Sequence, residues 1–244
     1  MQEEIEKGNL YFKEGKYYIN FNEVELKEII REVEIVLEKS VEEIDLSIAL
    51  NLNSILIKDS NIKDISKLKY FINLDYFHLE NLIIEYWVDL KYFRRIRTLN
   101  LINGGLKDLN FLSNLSDTVE SLQLDNNQIS DLRPITHLNE LRILGLSSNQ
   151  IEDLTPLREM EFIRELFLYN NNIKNLEGIE NVKIFTLHVG SNPLTLEGIK
   201  VIEEMEYLNT LSLDRKIFDG IVFARYPNYI FVDYLEFIEE ENND

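Results

Sequence analysis

One nine-residue pattern, LxxLxLxxN, returns along most of this chain and leaves it few ways to fold. Val119–Asn127 reads VESLQLDNN, Leu141–Asn149 reads LRILGLSSN and Ile163–Asn171 reads IRELFLYNN. Number the first apolar residue of each unit slot one. First slots then fall at Leu52, Leu74, Ile96, Val119, Leu141, Ile163, Ile184 and Leu208, in steps of 21 to 24 residues. Slots four and six are apolar in all of these units, from Ile55 and Ile57 to Leu211 and Leu213. A fixed period of this size marks a chain of stacked copies, each too small to close a core alone. A degenerate earlier copy, starting at Ile30 with Val33 and Ile35 in register, is a further possibility.

The pattern has a physical reading. LxLxx alternates with period two, so slots four and six face one way and slots three, five and seven the other. Each unit therefore predicts one short strand, and stacked units predict a parallel sheet with its leucines inward. Slots eleven, fourteen, seventeen and twenty return apolar groups to the same core, each worth roughly 1.5–3 kcal/mol when buried. Asparagine in slot nine (Asn127, Asn149, Asn171, Asn192) predicts a ladder, because its amide can both donate and accept where the chain bends. Leu82 occupies that slot in the second unit and cannot make those bonds, which predicts a reshaped turn involving Asn81. Pro134 and Pro156 open the return segments and suit the start of a helical turn. A period near 22 leaves room only for short 3₁₀ or single-turn helices there. The segment NPLTLEGIKVIEEM (192–205) is the exception: Thr195 as N-cap and Ile199, Ile202 and Met205 at helical spacing predict an α-helix.

These residues resemble the leucine-rich repeat family. The 22-residue period and the tails DLRPITHL, DLTPLREM and NLEGIENV are similar to the subclass found in bacterial internalins and in a leucine-rich regulator of a Ser/Thr phosphatase. The resemblance implies an α/β solenoid, a curved right-handed horseshoe or arc with the parallel sheet on its concave face. It also implies a binding role, since this fold hosts many binders and almost no catalysts.

The ends read as caps on a single structural domain. Residues 1–50 form an N-terminal cap, residues 51–213 about eight repeats, and residues 214–244 a C-terminal cap. LYFKEGKYYINF (10–21) predicts a β-hairpin turning at Glu14 and Gly15, and Asn22 is placed to cap a helix running at least to Ile30. Whether residues 30–50 continue as helix or as the degenerate repeat is open on the sequence. IVFARYPNYIFVDYLEFIEE predicts a strand or loop and a short helix over the last repeat.

Charge and motifs narrow the function. The formal net charge is −19, which repels nucleic acid and anionic membrane. Much of the excess lies at the ends: residues 1–50 carry 13 acids against 6 bases, and residues 221–244 carry 6 against 1. The absence of cysteine excludes disulfides, thiolate zinc sites and cysteine nucleophiles. With no leader-like N-terminus and no apolar run of roughly 18–20 residues, the expectation is a cytoplasmic protein, with secretion by another route left open. No phosphate loop, dinucleotide fingerprint, zinc-protease motif or nucleophile elbow is present, so catalytic, cofactor and metal residues are expected to be none. His78 and His188 share slot five but stand five repeats apart.

The expected partner surface is the concave face, with Tyr76, His78, Asn100, Gln123, Ile143, Phe167, Tyr169, His188 and Ser212 as contact residues. Phe167 and Tyr169 are placed as aromatic anchors, with Gly145 opening space beside them. The leading function is a non-enzymatic, monomeric module binding one protein partner, in a bacterial setting. Two alternatives stand beside it: an acidic immunity or inhibitor protein neutralising a basic toxin or nuclease, and an internalin-like adhesin or effector fragment.

Overall fold

The computed structural model describes residues 1–22, 25–31 and 42–214. The predicted C-terminal cap and the degenerate copy beyond residue 31 lie outside those residues. The described chain divides into two compact units. The first is Met1–Gly105 with Asn110–Leu122, and the second is Leu106–Leu109 with the described residues from Gln123 on.

The first unit opens with a helical turn, Gln2–Glu6, and a hairpin of β1 (Leu10–Lys13) and β2 (Lys16–Ile19). Glu14 and Gly15 connect the strands with φ of 51° and 80°. Two positive φ values are what a tight hairpin with right-handed strand twist requires. Asn22 then caps the helical residues 25–31: its Oδ1 accepts from the Glu25 N–H at 2.9 Å, and Glu25 Oε2 accepts from the Asn22 N–H at 3.0 Å. This reciprocal pair satisfies two donors that a helix start leaves over. A further helix, Leu46–Asn51, was not expected from the sequence. Asp45 caps it through the Ile48 N–H at 2.9 Å.

Strands follow from the slots. They are β3 (Ser54–Lys58), β4 (Tyr76–Glu80), β5 (Thr98–Ile102), β6 (Ser121–Gln123), β7 (Ile143–Gly145), β8 (Phe162–Phe167), β9 (Lys183–His188) and β10 (Thr210–Ser212). They form one eight-stranded sheet in strict chain order. The β3–β4, β4–β5, β7–β8 and β8–β9 ladders are parallel and pair equal slots, so Ile55 faces Phe77 and Phe77 faces Leu99, while Leu144 faces Leu166 and Leu166 faces Leu187. Side chains at slots one, four and six are buried in all these units. Return segments carry 3₁₀ turns, as at Ser66–Tyr70, Arg133–Ile135 and Thr155–Glu159, and the last two have Pro134 and Pro156 as their second residue.

Two expectations are corrected. The α-helix predicted within 192–205 does not form; only a 3₁₀ turn, Lys200–Glu204, is present. Thr195 still caps, its Oγ1 accepting from the Gly198 N–H at 2.9 Å. Gly198, however, lies against the preceding return, where an added Cβ would stand 2.3 Å from the Lys174 carbonyl oxygen. Held there, the chain closes through i→i−3 bonds such as Ile202 to Ile199 at 3.0 Å. The second correction concerns Leu82. The turn before it is not reshaped: Asn81 takes φ 59°, and slot eight takes the same left-handed geometry at Asp59, Asn103, Asn126, Ser148, Asn170 and Ser191. Leu82 is simply buried, at 3% exposure. Slot eight makes the bend, and slot nine only lines it.

That slot is the main feature missed in the sequence. Asn and Asp enter the left-handed region more cheaply than other side chains, which is why they predominate there. In the first unit they also form an outer chain, with Asn81 Nδ2 donating to Asp59 Oδ1 at 2.6 Å and Asn103 Nδ2 to Asn81 Oδ1 at 2.7 Å. The main chain at slot eight donates forward: Asp59 N–H to the Glu80 carbonyl at 3.1 Å, and Ser148 N–H to the Tyr169 carbonyl at 2.7 Å.

In the second unit, slot nine is an inner ladder. Asn149 Nδ2 donates to the Leu124 and Leu146 carbonyls, both at 3.0 Å, while its Oδ1 accepts from the Ile129 N–H at 3.0 Å. Asn171 repeats the arrangement on Leu146, Leu168 and Ile151, and Asn192 on Leu168, Val189 and Ile173. Asn127 accepts from the Leu106 N–H at 3.0 Å.

Candidate functional site

Slots three, five and seven turn away from the leucine core and give each unit an open strand face. The two faces differ in chemistry.

On the first unit the face is a closed polar network. His78 is 6% exposed. Its Nδ1 lies 3.2 Å from Tyr76 Oη and 3.0 Å from Asn100 Nδ2, both able to donate, and its Nε2 lies 3.1 Å from Glu80 Oε2. This partner set fits a neutral ring carrying its proton on Nε2. Burial pushes the His78 pKa below its ordinary value, and the Lys58 ammonium adds to this, against the raising effect of Glu80. Lys58 holds Glu80 at 2.5 Å, and with His78 it keeps that carboxyl below the usual range. Asn100 Oδ1 is buried without a hydrogen-bond partner. The predicted residues Tyr76, His78 and Asn100 are thus brought together, but largely to satisfy one another.

The second unit carries a different face. Phe167 and His188 face each other across β8 and β9, their rings parallel to within 7° and 4.8 Å apart. That separation equals the spacing of adjacent strands, so the two rings stack across the β8–β9 pair. Burial lowers the His188 pKa, so the stack is neutral at physiological pH. Tyr169, two residues on from Phe167, lies beside Gly190, where an added Cβ would stand 3.4 Å from its ring. Ile143 and Gln123 are half-buried on the neighbouring strands. Ser212, at 2% exposure, adds nothing to the open surface.

The space expected over Gly145 is not empty. A Cβ built there would stand 1.7 Å from Gln123 Oε1 and 2.6 Å from Asp125 Oδ2. Both side chains lean across the strand, because glycine offers no side chain to stop them. Asp125 is anchored there, its Oδ1 accepting from the Ser147 N–H at 2.7 Å. Burial pushes its pKa up, against the lowering effect of that bond. Asp125 is the residue the sequence reading passed over, and an acid in slot seven beside a glycine in slot five of the next repeat was the available signal.

Among the described residues no cluster of three or more His, Asp or Glu is arranged to hold a metal ion. No described helix is long and apolar enough to cross a membrane.

Comparison with known proteins agrees with this geometry. A family model described as Leucine Rich repeats (2 copies) matches residues 117–159. Among solved structures, internalin C2 from Listeria monocytogenes superposes with a TM-score of 0.62 at 20% identity, covering 75% of this chain and 91% of that one. A second internalin of the same organism gives 0.37 at 17% identity, covering 84% and 90%. A leucine-rich-repeat protein of Leptospira interrogans gives 0.49 at 18% identity, covering 64% and 47%. Only the first superposition is close enough to bear on the fold, which is that of an internalin-like repeat solenoid. No curated protein matches the chain.

Proposed function

We propose that this leucine-rich-repeat protein, internalin-like in fold, is a non-enzymatic module that binds a protein partner on the open strand face of its second unit. The observation that carries the reading is the Phe167–His188 stack, with Tyr169 beside it, standing on a rigid ladder and turned away from the core. Aromatic anchors surrounded by polar groups are the usual centre of a protein interface. The face of the first unit satisfies most of its own polar groups, Asn100 Oδ1 excepted, and offers less to a newcomer. A monomer in a reducing, cytosolic compartment, in a bacterial host, suits the absence of cysteine and the bacterial source of the superposing internalin.

The test is affinity capture at low and high salt with wild type and the Phe167→Ala/Tyr169→Ala double variant. One partner captured by wild type and released by the variant supports the reading. Equal capture by both refutes it. The inhibitor alternative has its own support in the negative charge of this face, and it predicts a partner of high isoelectric point that is lost when salt rises.

A further inference from the structure

The charge of the second unit's face is one-sided. From Gln123 on, slots three, five and seven hold Asp125, Glu165 and Asp214, and neither lysine nor arginine. Two of these acids are engaged. Glu165 has Arg164 at 3.8 Å, and Asp214 accepts from the Ser191 N–H at 2.9 Å. Asp125 takes hydrogen bonds from Ser147, from its N–H at 2.7 Å and from its side chain, and no described ion pair includes it. The contrast with the first unit is direct, since Glu80 there is already neutralised by Lys58. A desolvated carboxylate without a cation is a costly group to retain. Its second oxygen, Oδ2, is the one turned over Gly145, together with Gln123 Oε1.

The aromatic stack completes the setting. Gly145 is the register partner of Phe167 on the next strand. His188 on β9 covers one face of Phe167, so the opposite face is turned toward β7, where Gly145 is its register partner. A π face and two acceptor oxygens therefore border the same space. A planar cation with several N–H donors matches both: it stacks on the ring and donates to the oxygens.

We infer that Asp125, Gln123 and Phe167 form a subsite for an arginine side chain projected by the protein partner. This rests on the proposed binding role of that face and names the chemistry of the residue that docks there. Asp125 supplies the counter-charge, Gln123 a second acceptor, and Phe167 the platform. Neutral His188 backs the platform without repelling the guanidinium.

The experiment uses defined probes on the intact protein. Acetyl-Gly-Arg-Gly-amide, its citrulline counterpart and its lysine counterpart are titrated while the His188 ring and the Gly145 and Ser147 amides are followed by NMR at low salt. The expected result is saturable perturbation of these signals by the arginine peptide, with at least fivefold weaker binding of the citrulline and lysine peptides. Asp125→Asn, which keeps an acceptor for the Ser147 N–H, and Phe167→Leu, which keeps bulk without the π face, should each weaken the arginine peptide by about tenfold. Equal binding of citrulline or lysine overturns the proposal, and so does an unchanged affinity in Asp125→Asn. Partner capture separates the two readings. If Phe167→Ala/Tyr169→Ala releases the partner and Asp125→Asn does not, the binding face stands and the arginine subsite falls.

Discussion

Replacing Asn149 by alanine removes one rung of the inner ladder, and the bonds around it set the cost. Its amide donates to the Leu124 and Leu146 carbonyls and accepts from the Ile129 N–H. The two carbonyls do not become orphans: Leu124 keeps the Asn127 amide at 2.8 Å, and Leu146 keeps the Asn171 amide at 2.9 Å. Ile129, fully buried, loses the partner of its N–H. One stranded buried donor costs about 1–3 kcal/mol, and two weakened acceptors add about 1 kcal/mol more, so the expected loss is about 2–4 kcal/mol. Urea unfolding followed by circular dichroism measures it, and hydrogen exchange at the Ile129 amide localises it. Asn149→Asp sharpens the test. Aspartate can still accept from Ile129, but its second oxygen then faces two carbonyls. The folded-state pKa of that carboxyl must rise above the unfolded value of about 3.9. A raised pKa means full stability below the unfolded value, lost as pH climbs through the folded one. Asn149→Asp should therefore be weaker than alanine at pH 7 and recover toward pH 4. A loss below about 0.5 kcal/mol in the alanine variant, or a pH-independent aspartate variant, would refute the ladder energetics.

Other expectations follow from single contacts. Asp45 caps residues 46–51 and pairs with Lys16 at 2.8 Å; burial raises its pKa, but Lys16, Ser47 and the Ile48 N–H outweigh that and hold it at about 2. Asp45→Ala should cost about 1–2 kcal/mol at neutral pH, and the difference from wild type should drain away as pH falls from about 4 towards 2, read by acid titration of ellipticity. Gly178 has φ 103°, and an added Cβ would stand 2.5 Å from the Thr155 Cα. Gly178→Ala should therefore lower stability by about 2 kcal/mol or more, against about 1 kcal/mol for Gly8→Ala, where φ is also positive but no atom lies within 4 Å. Equal losses in thermal unfolding would remove the steric argument. Asp125 is the opposite case to Asp45, its carboxyl raised by burial. Asp125→Asn should equal or exceed wild-type stability at pH 7, and the gain should vanish below about pH 4, where wild type is protonated in both states.

How far the sequence could be read depends on what each residue answers to. Slots one, four and six answer only to the apolar core, so their pattern was legible and every one of them is buried. The hairpin was legible because Glu14-Gly15 between two aromatic runs has few other conformations. The 3₁₀ turns at Pro134 and Pro156 were legible because proline fixes φ. The residues 200–204 were misread because helical spacing says nothing about a neighbouring backbone, and Gly198 is pinned by Lys174 of the preceding return. Slot eight was missed because asparagine there looks like a ladder residue, whereas its requirement is a left-handed backbone. On the candidate site, alternation placed Phe167, Tyr169 and His188 on one face but could not show which neighbours lean. Gly145 therefore read as a bare vacancy, whereas Gln123 and Asp125 lean over its Cβ position, and Asp125 was not singled out.

The forward bond at slot eight has a consequence for how such a chain can change length. At Asp59, Asn81, Asn126, Ser148 and Asn170 the slot-eight N–H goes to the slot-seven carbonyl of the repeat that follows. An inserted copy thus brings one donor and one acceptor and leaves the account of unmet groups unchanged. Duplication or excision of a whole period in the interior is close to neutral in hydrogen bonding, whereas any change that is not a whole period breaks both the bend and the core. The Ser191 N–H also reaches forward, but to a side chain: the carboxylate of Asp214, in slot seven of the following repeat, takes it in place of a main-chain carbonyl. The direction of the bond thus makes the interior of the stack a place where whole repeats can be gained.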